Sequence, residues 1–241
     1  LTQSGVNLAA LQKPVPQKIK KFKGTRSESY DLVIVGAGGA GLSAAVTAGQ
    51  AGKYRVIVLE KMPVIGGNTL RCASAFNTAD PERQKLLPMT DTLKDAVVKA
   101  ISEKPVSDEA YLASGSKTLF DCPEWHALQT YNGGDKVGHI PLIRTYAANT
   151  LDTLHWMQKL GTPVLDRVSQ GAGALWQRTH QVDAPAGTGL VEPLYKAAVK
   201  EGTKIVTGMK AESLIVKTAV WSVSGQVTKS ATTMPLTQST V

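Results

Sequence analysis

The residues whose spacing most clearly suggests a binding function are three glycines. Gly36, Gly38 and Gly41 form a G-x-G-x-x-G turn, and the acidic Glu60 follows further along the chain. In such a turn the first glycine permits a tight bend, the second lets the backbone approach a pyrophosphate, and the third lets a helix pack closely. An acid about 20 residues further on accepts hydrogen bonds from ribose hydroxyls. The spacing therefore predicts a dinucleotide site, with an ordinary glycine-rich loop as the alternative.

A strand, a helix and a second strand must position these residues. Leu32–Val35 is an apolar, β-branched run, typical of a strand buried on both faces of a parallel sheet. The alanine-rich segment 41–52 predicts a helix whose N-terminus offers free N–H groups and a positive dipole end to phosphates. Residues 55–59 predict the second strand, which ends at Glu60. Because the strand, the helix, the second strand and the acid follow one another at the expected spacing, they favour the dinucleotide site over the plain loop.

A pair of adjacent glycines, Gly66 and Gly67, narrows the cofactor to FAD. Two neighbouring glycines suit a backbone that passes directly beside a large planar ligand. We therefore expect the cofactor to contact residues of the turn, the acid and the segment after the glycine pair: Gly36, Gly38, Gly39, Ala40, Gly41, Glu60, Lys61, Gly66, Gly67, Asn68, Thr69, Ala73 and Ser74.

The segment from Tyr30 to about Asn77, and above all its run E-K-M-P-V-I-G-G-N at 60–68, resembles the FAD domain of soluble fumarate reductases and flavocytochrome c proteins. That family also contains urocanate, methacrylate and related enoate reductases. A second block, G-A-L-W-Q-R-T-H at 173–180 through 190, is similar to the family's segment before the helix that leads into a β-meander. The resemblance implies an α/β fold: a Rossmann-like FAD-binding domain with a parallel sheet, helices and the start of an antiparallel β-meander, truncated before the capping domain.

The resemblance also implies a chemistry, namely hydride transfer from reduced flavin N5 to an α,β-unsaturated carboxylate, with fumarate as the default. The expected partners are a small dicarboxylate or enoate substrate and an electron-donor protein or domain. Covalent members of the superfamily attach FAD through a histidine after the glycine pair. Residues 69–74 contain none, which implies non-covalent FAD. Two alternatives stay open: another FAD dehydrogenase or oxidase of the superfamily, or a truncated, non-catalytic product.

The family's capping domain, catalytic arginine and substrate-binding histidines have no counterpart in these 241 residues. We therefore expect the catalytic residues beyond position 241, and neither tight FAD binding nor turnover by this chain alone. Candidates within it are Arg178 and His180, which lie two apart on a predicted extended segment and so point to the same side. One interpretation is that they face the flavin or the substrate cleft. The alternative is a structural role, with the histidine in the core and the arginine in a surface ion pair.

Composition divides the chain into a basic flexible tail (1–29), a partial FAD-binding domain (30–223) and an irregular Ser/Thr-rich tail (224–241). Most of the net charge of +8 lies in the first segment. The pattern of this basic segment favours a solvated linker over a contact with nucleic acid or lipid. The irregular Ser/Thr-rich composition of 224–241 favours a truncated product over a divergent segment that folds at the edge of the domain. Cys72 and Cys122 lack metal-ligand spacing, which favours two free thiols over one disulfide.

Periodicity predicts the remaining elements. Two helices are expected in 90–122, a long amphipathic helix in 140–160, a helix in 188–200, and short strands at 204–207, 212–216 and 219–223 that begin the β-meander. No run approaches the roughly 18 apolar residues of a membrane span. The chain is expected to be periplasmic or exported if a signal was removed, and otherwise cytoplasmic.

Overall fold

The computed structural model describes residues 28–102, 109, 117–171, 174, 176–217 and 220–227. In chain order its elements are β1 (Leu32–Val35), α1 (Gly39–Gln50), β2 (Val56–Leu59), a 3₁₀-helix (Gly67–Arg71), β3 (Ala75–Asn77), α2 (Pro81–Gln84), α3 (Asp91–Ser102), α4 (Pro123–Gly133), α5 (Ile140–Lys159), β4 (Val164–Ser169), β5 (Thr179–Val182), α6 (Thr188–Lys200), β6 (Lys204–Val206), β7 (Met209–Lys217) and β8 (Val220–Val227).

A parallel sheet in the order β1-β2-β6 forms the base of the fold. Helices α1 and α6 pack against each other beside this sheet. The shared core contains Leu42 and Val46 of α1, Val58 of β2 and Leu194 of α6, all buried. The predicted strand–helix–strand unit and the helix at 188–200 are therefore confirmed, since these apolar residues meet on one face of the sheet.

Strand β1 departs from the expectation of a strand buried on both faces. Within the described residues it is an edge of the parallel sheet, and Val35 is 59% and Leu32 37% exposed. The prediction fits β2 instead, where Val56, Ile57 and Val58 are buried between two neighbouring strands. Both strands have the same apolar composition, so only their position in the sheet separates them.

The other strands form two antiparallel sheets. One has the order β3-β5-β4, and the other is the pair β7–β8, the antiparallel start that the resemblance implied. The prediction that 204–207 begins this meander is wrong, because Lys204–Val206 pairs in parallel with β2. A strand that follows a helix packed on the sheet returns parallel to its neighbours. Strand β8 runs to Val227, past the expected boundary at 223, and the rest of the tail lies outside the described residues.

The long helix α5 agrees with its predicted range, and α3 confirms the first helix expected in 90–122. The second falls mostly outside the described residues, and 117–120 are not helical. A second core joins Val97 of α3, Phe120, Trp125 of α4 and Trp176, whose indole donates to the Phe120 carbonyl at 3.0 Å. Among the described residues, none of the helices combines the length and the hydrophobicity that a membrane span requires.

Candidate cofactor site

The glycine turn connects β1 to α1 with the geometry its spacing predicts. Gly36 has φ of +98°, a conformation that side chains rarely adopt, and its N–H donates to the Leu59 carbonyl at 2.8 Å. A Cβ at Gly41 would lie 1.9 Å from the Gly36 carbonyl oxygen. The first glycine therefore permits the bend, and Gly41 permits the close packing of the helix on the turn.

The N-terminus of α1 presents backbone N–H groups beside two glycines. Gly38 is its N-cap, and a Cβ there would meet only the Gly66 carbonyl oxygen, at 3.7 Å. The N–H of Gly39 donates to the Thr69 hydroxyl at 3.1 Å. The N–H groups of Ala40 and Gly41 lie in the first turn, where a helix has no internal acceptor. Donors, a positive dipole end and open space together fit a pyrophosphate.

The glycine pair lies directly beside this turn. Gly66 and Gly67 have φ of +100° and +51°. Gly66 forms an isolated parallel bridge with Gly38, and its N–H donates to the Ala37 carbonyl at 2.7 Å. Backbone groups that are almost thirty positions apart in sequence thus lie side by side, and we call residues 36–41, Glu60 and the glycine pair the cofactor cradle.

Glu60 follows β2 at the same end of the sheet and is only 7% exposed. One carboxylate oxygen accepts the Ala37 N–H and the other accepts the Met62 N–H, both at 2.8 Å. A carboxylate has about four acceptor positions. The two protein donors therefore orient Glu60 and leave acceptor capacity for ribose hydroxyls. The neighbouring Lys61 and, after the glycine pair, Asn68 are exposed.

Gly187 supports the candidate site from behind, and it is not among the residues predicted from the sequence. It is the N-cap of α6, and its N–H donates to the Leu70 carbonyl at 3.1 Å. A Cβ at this position would lie 1.6 Å from the Thr69 carbonyl oxygen. The 3₁₀-helix after the glycine pair therefore rests on the backbone of α6. The glycine-rich run A-G-T-G at 186–189 is the sequence feature that could have indicated this contact. The segment that it contacts, at Thr69 and Leu70, lies more than a hundred residues away in the chain.

The last predicted contacts, Ala73 and Ser74, form a turn between the 3₁₀-helix and β3. Ser74 has φ of +54° although it is not glycine, and its side chain is buried with no hydrogen-bond partner for the hydroxyl among the described residues. Its carbonyl accepts the Val182 N–H at 2.8 Å. The turn is thus both strained and tied to β5.

Arg178 and His180 do not line an open cleft. Arg178 is buried and donates through two nitrogens to Asp121, at 2.9 Å each. His180 is fully buried, with Nε2 3.0 Å from Asp80 Oδ2. The histidine therefore matches the structural alternative, whereas the arginine lies in a buried ion pair and not in a surface pair.

The electrostatics of this network follow from its burial. Burial raises the pKa of Asp121, against the opposing charge of Arg178. Burial also acts to raise the pKa of Asp80, but hydrogen bonds from His180 and Arg83 outweigh it and hold that pKa well below its usual range. Burial, helped by the Arg178 charge, lowers the pKa of His126 to about 4. Asp80 is therefore ionised and His126 neutral near neutral pH.

Comparison with protein-family models matches the FAD binding domain over residues 31–108 and 107–240. The chain belongs to this family of FAD-binding domains. The matched ranges include the glycine turn, Glu60 and the glycine pair, so the predicted cofactor class agrees with the family. The roles of the individual site residues remain predictions.

The FAD-binding domain has relatives among flavin-dependent reductases. It is 32% identical to an NADH:acrylate oxidoreductase of Vibrio harveyi, over 88% of this chain and 24% of the relative. It is 30% identical to a fumarate reductase (cytochrome) of Shewanella frigidimarina, over 80% of this chain and 28% of the relative. The chain thus spans about a quarter of the length of these curated relatives.

Solved structures confirm the fold. The open conformation of a flavocytochrome c3 fumarate reductase superposes with a TM-score of 0.59 at 24% identity, over 81% of this chain and 29% of that one. Sdh1 of Mycobacterium smegmatis in complex with UQ1 gives 0.60 at 18% identity, over 82% and 30%. At these identities the likeness shows the architecture alone, and it agrees with the predicted Rossmann-like domain.

Proposed function

We propose that this chain binds FAD non-covalently, as the cofactor-binding part of a reductase of α,β-unsaturated carboxylates. The observation that carries the proposal is the convergence of the α1 N-terminus, Glu60 and the glycine pair Gly66–Gly67 at one end of the parallel sheet. In open α/β sheets, ligands bind outside the carboxyl ends of the strands, which is where these groups lie.

Each part of the cradle has a proposed role. The first-turn N–H groups of α1, with Gly38 lacking a side chain, bind the pyrophosphate. Glu60 accepts hydrogen bonds from the adenosine ribose, since two backbone donors already orient its carboxylate. The glycine pair lets the backbone lie flat beside the rest of the cofactor. The absence of histidine from 69–74 supports non-covalent binding.

The proposed substrate is an alkene conjugated to a carboxylate, with fumarate as the default. Relatives of this chain are named for acrylate, fumarate and urocanate, which share that chemistry. Bound FAD supplies the hydride from its reduced N5. Arg178 already pairs with Asp121 and His180 with Asp80, so neither is available to bind a substrate carboxylate. We propose that the substrate-binding and proton-donating groups, and an electron-donor protein or domain, lie outside the residues described.

Gly38→Ala is expected to weaken FAD binding about tenfold or more while leaving stability nearly unchanged. The added methyl fits the fold, since its nearest neighbour is 3.7 Å away, and the φ of −80° suits alanine. It fills the space through which the pyrophosphate approaches. Equilibrium dialysis with FAD and with ADP, and thermal unfolding of the free protein, provide the measurements.

Gly133→Ala is the matched control, because a Cβ there meets nothing within 4 Å and the residue lies at the end of α4. It should leave FAD affinity unchanged. Absence of FAD and ADP binding by the wild-type protein would contradict the proposed function. Equal FAD affinity in wild type and Gly38→Ala would place the cofactor elsewhere.

The substrate proposal is tested by anaerobic oxidation of a reduced viologen dye with fumarate, acrylate or urocanate. Because the buried arginine and histidine are already engaged, we expect no turnover by the FAD-loaded chain alone. Turnover at an ordinary enzymatic rate, about 1 per second or faster, would show that this chain holds its own substrate site. Activity limited to a longer form of the protein would support the proposal.

A further inference from the structure

The turn that joins the 3₁₀-helix to β3 has a strained backbone at Ser74. Ser74 has φ of +54°, in the left-handed region that glycine adopts readily, asparagine and aspartate adopt occasionally, and other residues avoid. Its buried hydroxyl has no partner among the described residues, so a hydrogen bond made by its own side chain does not explain the conformation. Strain of this kind is retained where the surrounding structure holds it and often accompanies ligand clamps.

The side chain of Gln181 holds this turn. Its amide nitrogen donates to the Ala73 carbonyl at 3.0 Å and to the Ser74 carbonyl at 3.2 Å. The neighbouring backbone N–H of Val182 donates to the same Ser74 carbonyl at 2.8 Å. Two successive carbonyls are thus fixed toward β5. In a trans peptide the N–H points opposite to the carbonyl, so the N–H groups of Ser74 and Ala75 point away from the Gln181 side chain.

The turn is also continuous with the cofactor cradle. The 3₁₀-helix before it begins at Gly67, and Thr69 of that helix accepts the Gly39 N–H of α1. The Cys72 N–H in turn donates to the Thr69 carbonyl at 3.4 Å. The Ala73–Ser74 turn thus follows the glycine pair along the chain, whereas Glu60 precedes that pair. A shift of the turn backbone would therefore change the side of the cradle that is farther from Glu60 in sequence.

We propose that Gln181 is a positioning residue, which sets the backbone of Ala73 and Ser74 for contact with the flavin end of FAD. The inference rests on the proposed FAD binding and adds a residue that the glycine motif does not contain. Gln181 is partly exposed, and its contacts to this turn are hydrogen bonds made by one amide group. Its replacement is therefore expected to alter the turn without opening a core cavity.

The test compares FAD with ADP, which lacks the flavin. Gln181→Leu removes the donor, and Gln181→Glu keeps the shape but places a carboxylate against two carbonyls. Each should raise the FAD dissociation constant about five- to tenfold and change that of ADP by less than about twofold, as expected for the loss of one or two hydrogen bonds. Gln170→Leu is the matched control, because Gln170 also donates to a backbone carbonyl, that of Ala174 at 2.7 Å.

The outcomes separate this inference from the proposed function. Wild-type protein that binds neither FAD nor ADP overturns the proposed function and this inference with it. Wild-type binding of both, with FAD and ADP affinities lowered equally or not at all by the Gln181 variants, overturns only the positioning role. Selective loss of FAD affinity in both variants, with Gln170→Leu unchanged, supports it. Thermal unfolding confirms that each variant is folded before titration.

Discussion

Arg178→Leu is expected to lower the free energy of unfolding by about 3–5 kcal/mol, because it leaves the buried Asp121 carboxylate without its counter-charge. The two groups share hydrogen bonds of 2.9 Å, and the Asp121 side chain has no exposure to solvent. Asp121 keeps the Gln84 amide and the Cys122 N–H as donors, which offset only part of the loss. Since typical domains have about 5–15 kcal/mol of stability, the variant should be close to unfolding.

Urea denaturation measures this effect, and a surface pair provides the control. Arg144 is 3.3 Å from Glu124, with both side chains half exposed or more, so Arg144→Leu should change stability by less than about 1 kcal/mol. Adding Asp121→Asn to Arg178→Leu should recover part of the loss, because a neutral amide replaces the unpaired charge. Equal, small effects of the Arg178 and Arg144 variants would contradict the role assigned to the buried pair.

Gly187→Ala is expected to destabilise the protein by about 3 kcal/mol and to abolish measurable FAD binding. A Cβ at Gly187 would lie 1.6 Å from the Thr69 carbonyl oxygen and 2.9 Å from the Leu70 Cα. Both are backbone atoms, so either α6 or the 3₁₀-helix must move. The φ of −82° is ordinary for alanine, and the whole effect therefore comes from the contact.

Thermal unfolding and FAD dialysis measure this second effect. Gly133→Ala again serves as control, since the same methyl is added in open space. Gly187→Ala should lose FAD binding even at temperatures where it remains folded, because the displaced 3₁₀-helix carries Thr69 and adjoins Gly66. A variant with wild-type stability and affinity would show that the contact between α6 and this helix is looser than the structure indicates.

Local features of the cofactor cradle were predictable from the sequence. The turn at Gly36–Gly41, the helix after it and the strand that ends at Glu60 are encoded within about thirty consecutive residues. Glycines at positive φ and a helix N-terminus are properties of short segments, so spacing alone identifies them. The same holds for the long helix α5, whose apolar face repeats at the helical period.

Contacts between distant segments were not predictable in this way. The pairing of Lys204–Val206 with β2, the edge position of β1 and the contact of Gly187 with Thr69 all join residues far apart in the chain. The sequence around Arg178 does not distinguish an arginine that faces a cleft from one that faces a buried aspartate. Its partner Asp121 lies 57 positions away in the chain. No local period encodes such a choice.

The sequence by itself therefore determined the cofactor class and the backbone conformations that receive it, because glycine, helix and strand preferences act over a few residues. Only the tertiary structure decided which polar side chains are buried and paired with other protein groups in the core. Burial and pairing are properties of the packed chain, and in this protein they assign Arg178 and His180 to the interior and bring Gln181 to the turn that adjoins the cofactor cradle.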